Sequence, residues 1–458
     1  MPTPADAIRP DELDGLFARF FAAPAAERAA LAVSGGGDST ALMVLFADWL
    51  RHVGRPASAF GVLTVDHGLR PESAAEAREV ADSATALGFR HAILAWQGAK
   101  PSTGLQAAAR AARYRLIAEY ARAHGVCLVL TGHTADDQAE TLLMRLARGS
   151  GLDGLAAMAP LTELAVRTAD GVYALKLARP LLEVPKARLR ATLEQRGIPW
   201  IEDPSNQHPA FERTRLRAAR GELEALGLST DRLGLSARRL QRARVAIERW
   251  VADFCAPDKA RVVVDPCGVI RIDAPALLAL PAEIAVRVLT WAIAAAGGSD
   301  EPVALASIET TVDALCAAPA TGVWTLARAK IVATAESILI EREPGREPPP
   351  TITLAPGSQA LWDGRFLVKA GPRLVAAVEV RALGMDGVRQ ARSAVELPPG
   401  VSAAALRMLP GFWRAERLIA APNLAFWPEE SARGEISATF PALGNYNSKP
   451  AAEQPGSS

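Results

Sequence analysis

A glycine-rich segment, Ser34-Gly-Gly-Gly-Asp38-Ser39, stands between an apolar run and a helix-like run. Glycines let backbone N–H groups converge on an anion, and a following helix adds its positive end. A Walker loop is excluded because the chain contains no Gly-Lys dipeptide, and a GxGxxG dinucleotide loop is excluded because position 40 is threonine. The pattern predicts a phosphate-binding loop of another kind, with a simple tight turn as the alternative.

Asp38 does not bind a phosphate directly, because a carboxylate and a phosphate are both negatively charged and repel each other. It can hold a Mg²⁺ ion that bridges phosphate groups, or it can cap the helix that follows. The residues alone leave both readings open.

Polar residues also follow two other strand-like runs. Asp66 and His67 come after AFGVLTV, where an adenine or a ribose could bind, although such a pair after a strand is commonly only a turn. His133 follows the run VCLVLTG.

An acidic group comes directly after His133. Asp136, Asp137 and Glu140 lie within the first turn or so of a helix-like segment, which is more acid than complementing a helix dipole requires. We expect Asp137 or Glu140 to receive a cationic substrate or to take a proton from an amine. On the preceding helix, Arg110 and Arg113 share a face and are either solvated or placed to offset charge at an α-phosphate.

These residues need a scaffold, and the first 200 residues alternate strand-like with helix-like patterns. The strand-like runs are AALAV, AFGVLTV, HAILAW and VCLVLTG. Short apolar strands alternating with helices predict an α/β fold with a parallel, doubly wound sheet, whose ligands lie beyond the carboxyl ends of the strands. Every candidate residue above falls at such an end or on a helix that follows one.

The rest of the chain divides by composition. Residues 212–250 are purely helical and rich in arginine, and a mixed segment follows to about residue 343. The predicted domains are an α/β domain (1–211), a mostly helical domain (212–343), a proline-rich linker (344–358), a small α+β domain (359–445) and a disordered tail (446–458). The stretch Phe412–Leu418 mixes aromatic and basic residues and is either a nucleic-acid contact or a packed strand.

Bulk composition excludes several classes of protein. The net charge is +1 over 458 residues, so nucleic-acid contact must come from local arginine clusters rather than from global charge. The four cysteines form no CxxC pair, which argues against sulfur and metal-cluster chemistry. No signal peptide or membrane span is indicated, so a cytoplasmic protein is expected.

A set of segments also carries a family resemblance. SGGGDS, VDHGLR, AARAARY, GHTADDQAETLLMRLARGSGLDGL, RPLL, and WIEDPSN followed by RTRLR occur in this order over residues 31–217. SGGGDS marks only the ATP pyrophosphatase (PP-loop) superfamily. Together with GHxxDDQAET, RLxRG, RPLL and DPSN, the chain resembles the tRNA(Ile)-lysidine synthetase family.

The resemblance implies a reaction in two steps. The oxygen on carbon 2 of the wobble cytidine, in an isoleucine tRNA with a CAU anticodon, attacks the α-phosphorus of ATP and releases pyrophosphate. The amine of free L-lysine then displaces AMP from carbon 2. The product, lysidine, pairs with A, so the tRNA changes from reading AUG to AUA and from methionine to isoleucine identity.

The resemblance also implies that residues 1–211 form the PP-loop catalytic domain, that residues 212–343 bind tRNA and that residues 359–445 recognise it. It further implies roles for single residues. The ATP contacts would be Ser34, Gly35, Gly36, Gly37, Asp38, Ser39, Val65, Asp66 and Gly132, with Asp38 as the Mg²⁺ ligand. The catalytic set would be Asp38, Arg113, His133 and Asp137. The substrate contacts would be Arg110, Asp137, Glu140, Arg145, Arg148, Arg213, Arg215 and Arg217, each arginine being otherwise a solvated surface residue.

The predicted partners are isoleucine tRNA and lysine, with a homodimer left open and no membrane partner. Three other readings remain. They are a tRNA cytidine thiolase, an NAD or GMP synthetase, and a nucleotide-binding module without turnover. Release of pyrophosphate and incorporation of lysine into tRNA separate them.

Overall fold

A computed structural model describes residues 6–22, 28–98, 100–101, 103–168, 171–202, 212–299, 303–317, 321–345 and 348–441. The DPSN segment and the predicted tail lie outside the described residues. The contacts divide the chain into two compact units that meet in sequence between Val245 and Ala246. The finer boundaries predicted from the sequence stay predictions.

The first unit is built on a six-stranded sheet with the order β3-β2-β1-β4-β6-β5. Its strands are β1 (Ala29–Ala32), β2 (Gly61–Asp66), β3 (Arg90–Ala95), β4 (Leu128–Thr131), β5 (Leu161–Thr168) and β6 (Gly171–Ala178). The β1–β2, β1–β4, β2–β3 and β4–β6 pairs are parallel. The strand order reverses between β1 and β4, and such a point is where open α/β sheets bind ligands.

Helices cover this sheet and connect its strands. They are α1 (Leu13–Phe17), α2 (Gly37–His52), α3 (Ser73–Ala86), α4 (Leu105–His124), α5 (Ala135–Ala147), α6 (Leu152–Leu155), α7 (Lys186–Gln195), α8 (Glu212–Ala218), α9 (Arg220–Ala225) and α10 (Thr230–Phe254), which continues into the second unit. The four strands and the helices predicted from the sequence up to residue 148 are confirmed, as is the helical stretch after residue 212.

The sheet buries both of its faces, as a doubly wound fold requires. Alternate residues of a strand point to opposite faces. Leu31 of β1 packs into one core with α2 and α7, whereas its neighbour Ala30 packs into the other core with α4. In β4, Leu130 and Val129 divide in the same way. The apolar runs of these strands are continuous because neither face meets water.

The N-terminal helices are tied to α7 by an ion pair. Arg188 on α7 donates hydrogen bonds to both carboxylate oxygens of Glu12, at 3.0 and 2.8 Å. These hydrogen bonds from Arg188, with the N–H of Arg9, lower the pKa of Glu12 to about 2. The contact fixes the start of α7, which borders the candidate site described below.

Glu12→Gln is expected to destabilise the protein only where Glu12 is ionised. The pKa of Glu12 is about 4.5 in the unfolded chain and about 2 in the folded one. The extra stability is therefore fully present above about pH 5 and is lost as the pH falls toward 2. Urea unfolding of the parent and the variant between pH 7 and pH 3 measures the difference. Glu194→Gln, at an exposed position of α7, is the control, and a difference that does not change with pH would contradict the assignment.

The second unit contains antiparallel sheets and additional helices. Its strands are β7 (Val262–Val264), β8 (Ile270–Asp273), β9 (Gly322–Leu326), β10 (Ala329–Ala333), β11 (Ser337–Arg342), β12 (Ile352–Leu354), β13 (Gln359–Trp362), β14 (Phe366–Ala370), β15 (Val378–Ala382), β16 (Pro410–Arg414), β17 (Arg417–Ala420) and β18 (Ile436–Thr439). Its helices are α11 (Ala274–Leu278), α12 (Ala282–Gly297), α13 (Leu305–Cys316), α14 (Gly384–Arg392) and α15 (Ala403–Arg407). The strands form sheets in the orders β7-β8-β11-β10-β9, β12-β15-β16-β17 and β13-β14-β18.

One hydrophobic core runs through this unit, with members on both sides of the predicted linker. The stretch Phe412–Leu418 belongs to β16, β17 and the turn between them. Phe412, Trp413 and Leu418 are buried in this core, so the aromatic side chains of this stretch pack a strand pair. Within the described part of the chain, no helix has the length and apolar character that crossing a membrane requires.

Candidate active site

The glycine loop joins the carboxyl end of β1 to the start of α2. Gly36 is the N-cap residue and α2 begins at Gly37, so the N–H groups of the first turn have no acceptor within the helix. Gly35 has a φ of +85°, and a Cβ there would come within 2.5 Å of Ile201 Cδ1. The positive φ favours glycine at position 35, and a larger residue would in addition displace the Ile201 side chain.

Two serine hydroxyls close this loop. Ser39 Oγ donates to the carbonyl of Gly36 at 2.9 Å and accepts from the N–H of Ser34 at 3.2 Å. The Oγ atoms of Ser34 and Ser39 lie 3.3 Å apart. The loop is thus held in one shape, with both hydroxyls beside the N–H groups that begin α2. Such an arrangement suits the oxygens of a phosphate.

Gly132, just past β4, packs directly against this loop. A Cβ at position 132 would lie 3.0 Å from the carbonyl oxygen of Asp38 and from the N and Cα of Ser39. These are backbone atoms, which cannot rotate away as a side chain can. Gly132 therefore allows the end of β4 to approach the start of α2.

Gly132→Ala is expected to destabilise the protein by about 1–3 kcal/mol, since the new methyl group pushes the loop backbone aside. It should also weaken nucleotide binding, because the loop N–H groups move with it. Urea unfolding and titration with an ATP analogue measure the two effects. Gly221→Ala in α9, where a Cβ meets nothing within 4 Å, is the matched control. Equal behaviour of the two variants would contradict the close packing.

Asp38 lies one residue inside α2 and faces the ammonium of Lys186. Lys186 Nζ is 3.3 Å from Asp38 Oδ2 and 3.1 Å from Asp137 Oδ1. The alternative that Asp38 is the N-cap residue is wrong, because Gly36 occupies the N-cap position and Asp38 lies in the first turn of α2. The structure brings Asp38 and Asp137, from different strand ends, onto one cation.

The two carboxylate oxygens of Asp137 make different contacts. Its Oδ2 accepts hydrogen bonds from the N–H and the hydroxyl of Thr134, the N-cap residue of α5, at 2.9 and 2.8 Å. Its Oδ1 faces Lys186. Burial alone would raise the pKa of Asp137, but Lys186, His133 and Thr134 together hold that pKa below its ordinary value. Burial raises the pKa of Asp38 against the opposing effect of Lys186.

The other two acids of α5 are paired with arginines from α8 and α9. Arg217 binds both oxygens of Glu140, at 2.6 and 3.1 Å, and Arg220 donates to Asp136 Oδ1 at 2.6 Å. All three acids of α5 are buried. Thus Asp38, Asp136, Asp137 and Glu140 face three cations, namely Lys186, Arg217 and Arg220.

The carboxyl end of β2 is arranged differently. Asp66 Oδ1 accepts from the N–H of Gly68 and the hydroxyl of Ser73, both at 2.8 Å, so Asp66 shapes the turn. Both ring nitrogens of His67 are buried without a hydrogen-bond partner among the described residues. Burial and the nearby Arg113 lower the pKa of His67 to about 4, so its ring is neutral at physiological pH. Val65 and Asp66 stay predictions as ATP contacts.

The predicted substrate-binding arginines differ in the contacts that they make within the protein. Arg145 donates to the carbonyls of Gly154 and Ala157, and Arg148 pairs with Glu212. Arg217, as noted, pairs with Glu140. Arg213 and Arg215 are exposed and make no ion pair with a described residue, and Arg110 lies over the ring of Tyr114. None of these contacts tests binding to tRNA.

The sequence reasoning missed Lys186, Arg220 and the pairing role of Asp136. Lys186 follows the RPLL segment and Pro185, at the start of the helix after β6. That position is another carboxyl-edge position of the same sheet. Pro185, the N-cap residue of α7, marks where this helix starts, but it does not indicate which side chain enters the site.

The site suits a divalent cation only together with a nucleotide. Among the described residues, no group of three or more His, Cys, Asp or Glu side chains is placed to hold a metal ion. Mg²⁺ is commonly held by one or two carboxylates plus substrate phosphates. Asp38, next to the loop, fits such a role.

Comparisons with known proteins show the family of this chain. Residues 12–221 match the family described as PP-loop domain. The chain is 49% identical over 323 residues to a tRNA(Ile)-lysidine synthase from Bradyrhizobium diazoefficiens, covering 70% of this chain and 86% of that protein. It is 38% identical over 428 residues to the protein of the same name from Ruegeria pomeroyi, covering 93% of this chain and 96% of that protein.

A solved structure, the U34-tRNA thiolase NcsA from Methanococcus maripaludis, aligns with 52% of this chain and 78% of its own at 14% identity, with a TM-score of 0.41. That likeness is too low to carry an argument. The sequence alignments, in contrast, span most of both chains at 38–49% identity. The chain therefore belongs to the tRNA(Ile)-lysidine synthase (synthetase) family.

Proposed function

We propose that the chain joins the side-chain amine of free L-lysine to carbon 2 of the wobble cytidine in isoleucine tRNA with a CAU anticodon. As a family member it is an enzyme that forms lysidine in tRNA with ATP. The observation that carries the finer proposal is the meeting of Asp38, Asp137 and the glycine loop at one edge of the sheet.

In the first step, the base oxygen attacks the α-phosphorus and the bond to pyrophosphate breaks. The N–H groups at the start of α2 and the hydroxyls of Ser34 and Ser39 receive the departing pyrophosphate. Arg113 suits the charge that grows on the α-phosphate, because it makes no hydrogen bond or ion pair with a described residue and lies near the end of β2. His133, beside Asp137, follows β4, which lies on the opposite side of β1 from β2.

Asp38 would hold Mg²⁺ together with the nucleotide phosphates. Such an ion supplies positive charge that offsets the charge of the triphosphate. The proposal rests on the position of Asp38 in the first turn of α2, beside the loop hydroxyls.

In the second step, the lysine nitrogen bonds to carbon 2, the bond from carbon 2 to oxygen breaks, and AMP leaves with that oxygen. The amine must lose a proton, because an ammonium has no lone pair, and its reference pKa is about 10.4. Asp137 is buried, and its pKa is held low, so it is ionised and able to receive the ammonium. Whether Asp137 or Glu140 takes the proton is left open.

Recognition of tRNA is assigned to exposed arginines and to the second unit. Arg213 and Arg215 on α8 are exposed without ion pairs to described residues, which suits contact with phosphates. An anticodon base is already single-stranded, so turning it into the site requires little unpairing. A homodimer and the predicted domain roles stay predictions.

The test is a labelling experiment. The purified chain is incubated with ATP, Mg²⁺, radiolabelled lysine and an unmodified transcript of isoleucine tRNA with a CAU anticodon. We expect acid-insoluble label in this tRNA that depends on ATP. Methionine tRNA, which carries the same anticodon, and the isoleucine transcript with uridine at the wobble position are the controls. Absence of label from the isoleucine transcript, or equal label in all three, would overturn the proposal.

A further inference from the structure

Lys186 occupies the position at which the proposed function places two other cations, the Mg²⁺ ion and the amine of the substrate lysine. Its ammonium bridges Asp38, assigned to the metal-bound nucleotide, and Asp137, assigned to the lysine amine. Its side chain is 24% exposed. A lysine amine has a reference pKa of about 10.4, so Lys186 carries a positive charge between the two carboxylates at neutral pH.

The backbone of Lys186 is fixed while its side chain is long and flexible. The N–H of Lys186 donates to Asp136 Oδ2 at 2.8 Å, and α7 is anchored through Arg188 and Glu12. A lysine has four rotatable carbon–carbon bonds and a compact charge that can exchange partners without moving the backbone. The ammonium can therefore move while α7 stays in place.

Binding of the substrates changes the charge balance around Lys186, an argument that rests on the proposed function. A cation arriving at Asp38 and the lysine amine arriving at Asp137 both repel the ammonium from its present oxygens. The triphosphate brings new negative charge to the loop that precedes Asp38. Phosphate oxygens are strong acceptors for an ammonium.

We propose that Lys186 is an ATP-binding residue, whose ammonium passes from Asp38 and Asp137 to the triphosphate when the nucleotide binds. In the free enzyme the same ammonium keeps the two carboxylates together. In the complex it releases both for their substrates and adds a contact to the phosphates.

Titration calorimetry with α,β-methylene-ATP and Mg²⁺ tests this assignment on the full chain. Lys186→Met should weaken binding of the analogue by about tenfold or more, the usual size of a lost charge-assisted contact. Binding of adenosine, which has no phosphates, should be unchanged. Lys186→Arg should retain most of the affinity, and Lys176→Met, at an exposed position of β6, should behave as the parent.

The direction in which the affinity changes distinguishes this proposal from one in which Lys186 is only a fixed counter-ion of the two carboxylates. If Lys186 only competes for Asp38, its removal should tighten binding of the analogue in Mg²⁺ or leave it unchanged, and either result would overturn the proposal. Failure of the parent protein to bind the analogue would instead count against the proposed function.

A crystal of the unmodified protein with the analogue gives an answer that does not depend on how the variants fold. Lys186 Nζ is expected about 3 Å from a phosphate oxygen and away from Asp38. An ammonium that still bridges the two carboxylates in that complex would refute the transfer.

Discussion

Asp38→Ala is expected to lower the ATP-dependent attachment of labelled lysine to isoleucine tRNA by about a hundredfold or more, the usual effect of removing a preorganised charge contact. Asp38 is the carboxylate nearest the glycine loop in sequence, and Lys186 holds it in the site. The measurement is the initial rate of label incorporation at saturating tRNA. Thermal melting of the variant shows whether the fold is retained.

A control on the same helix is available. Asp48 lies on α2 about 15 Å further along the axis, where it pairs with Arg51 and Arg196. Asp48→Asn should leave the rate of label incorporation close to that of the parent. A normal rate for Asp38→Ala would remove the assignment of the metal-bound nucleotide to this residue.

Asp137→Asn should lower kcat/KM for lysine by about a hundredfold or more, because Asp137 is the carboxylate proposed to receive the lysine amine. Its exchange of pyrophosphate into ATP in the presence of tRNA should fall less than about tenfold, since the asparagine oxygen can still accept from Thr134 and keep the start of α5 in place. The two rates are measured on the same preparation. Equal loss of both would contradict a role for Asp137 in the second step.

Glu140→Gln decides the question left open between the two acids. Both carboxylate oxygens of Glu140 accept hydrogen bonds from Arg217. Glu140 is therefore less available than Asp137 to take a proton in this structure. If Asp137 takes the proton, Glu140→Gln should lower lysine transfer much less than Asp137→Asn. The reverse order would assign the proton to Glu140.

The catalytic edge was predictable from sequence because its strands are buried on both faces. Continuous apolar runs such as VCLVLTG have few alternatives, and the parallel arrangement then brings Ser34 and His133 to the same edge. The glycines of the loop also helped to predict the phosphate-binding loop. The positive φ of Gly35 and the tight packing of Gly132 show that both positions exclude a side chain.

The contacts that complete the site were not predictable. Lys176 interrupts the apolar run of strand β6, so β6 was not assigned from the sequence and the RPLL segment was not recognised as following a strand end. Because β6 was not assigned as a strand, Lys186 was not recognised as a residue near the carboxyl edge of the sheet. The pairing of Arg217 with Glu140 joins residues 77 positions apart, and no local pattern encodes which arginine of a charged helix reaches which acid.

The central claim is that ATP activates the tRNA base and not the lysine. Exchange of radiolabelled pyrophosphate into ATP tests it directly, with each substrate supplied alone. We expect exchange with isoleucine tRNA in the absence of lysine and none with lysine in the absence of tRNA. Exchange supported by lysine alone would contradict it, because the activated intermediate would then be an adenylate of the amino acid.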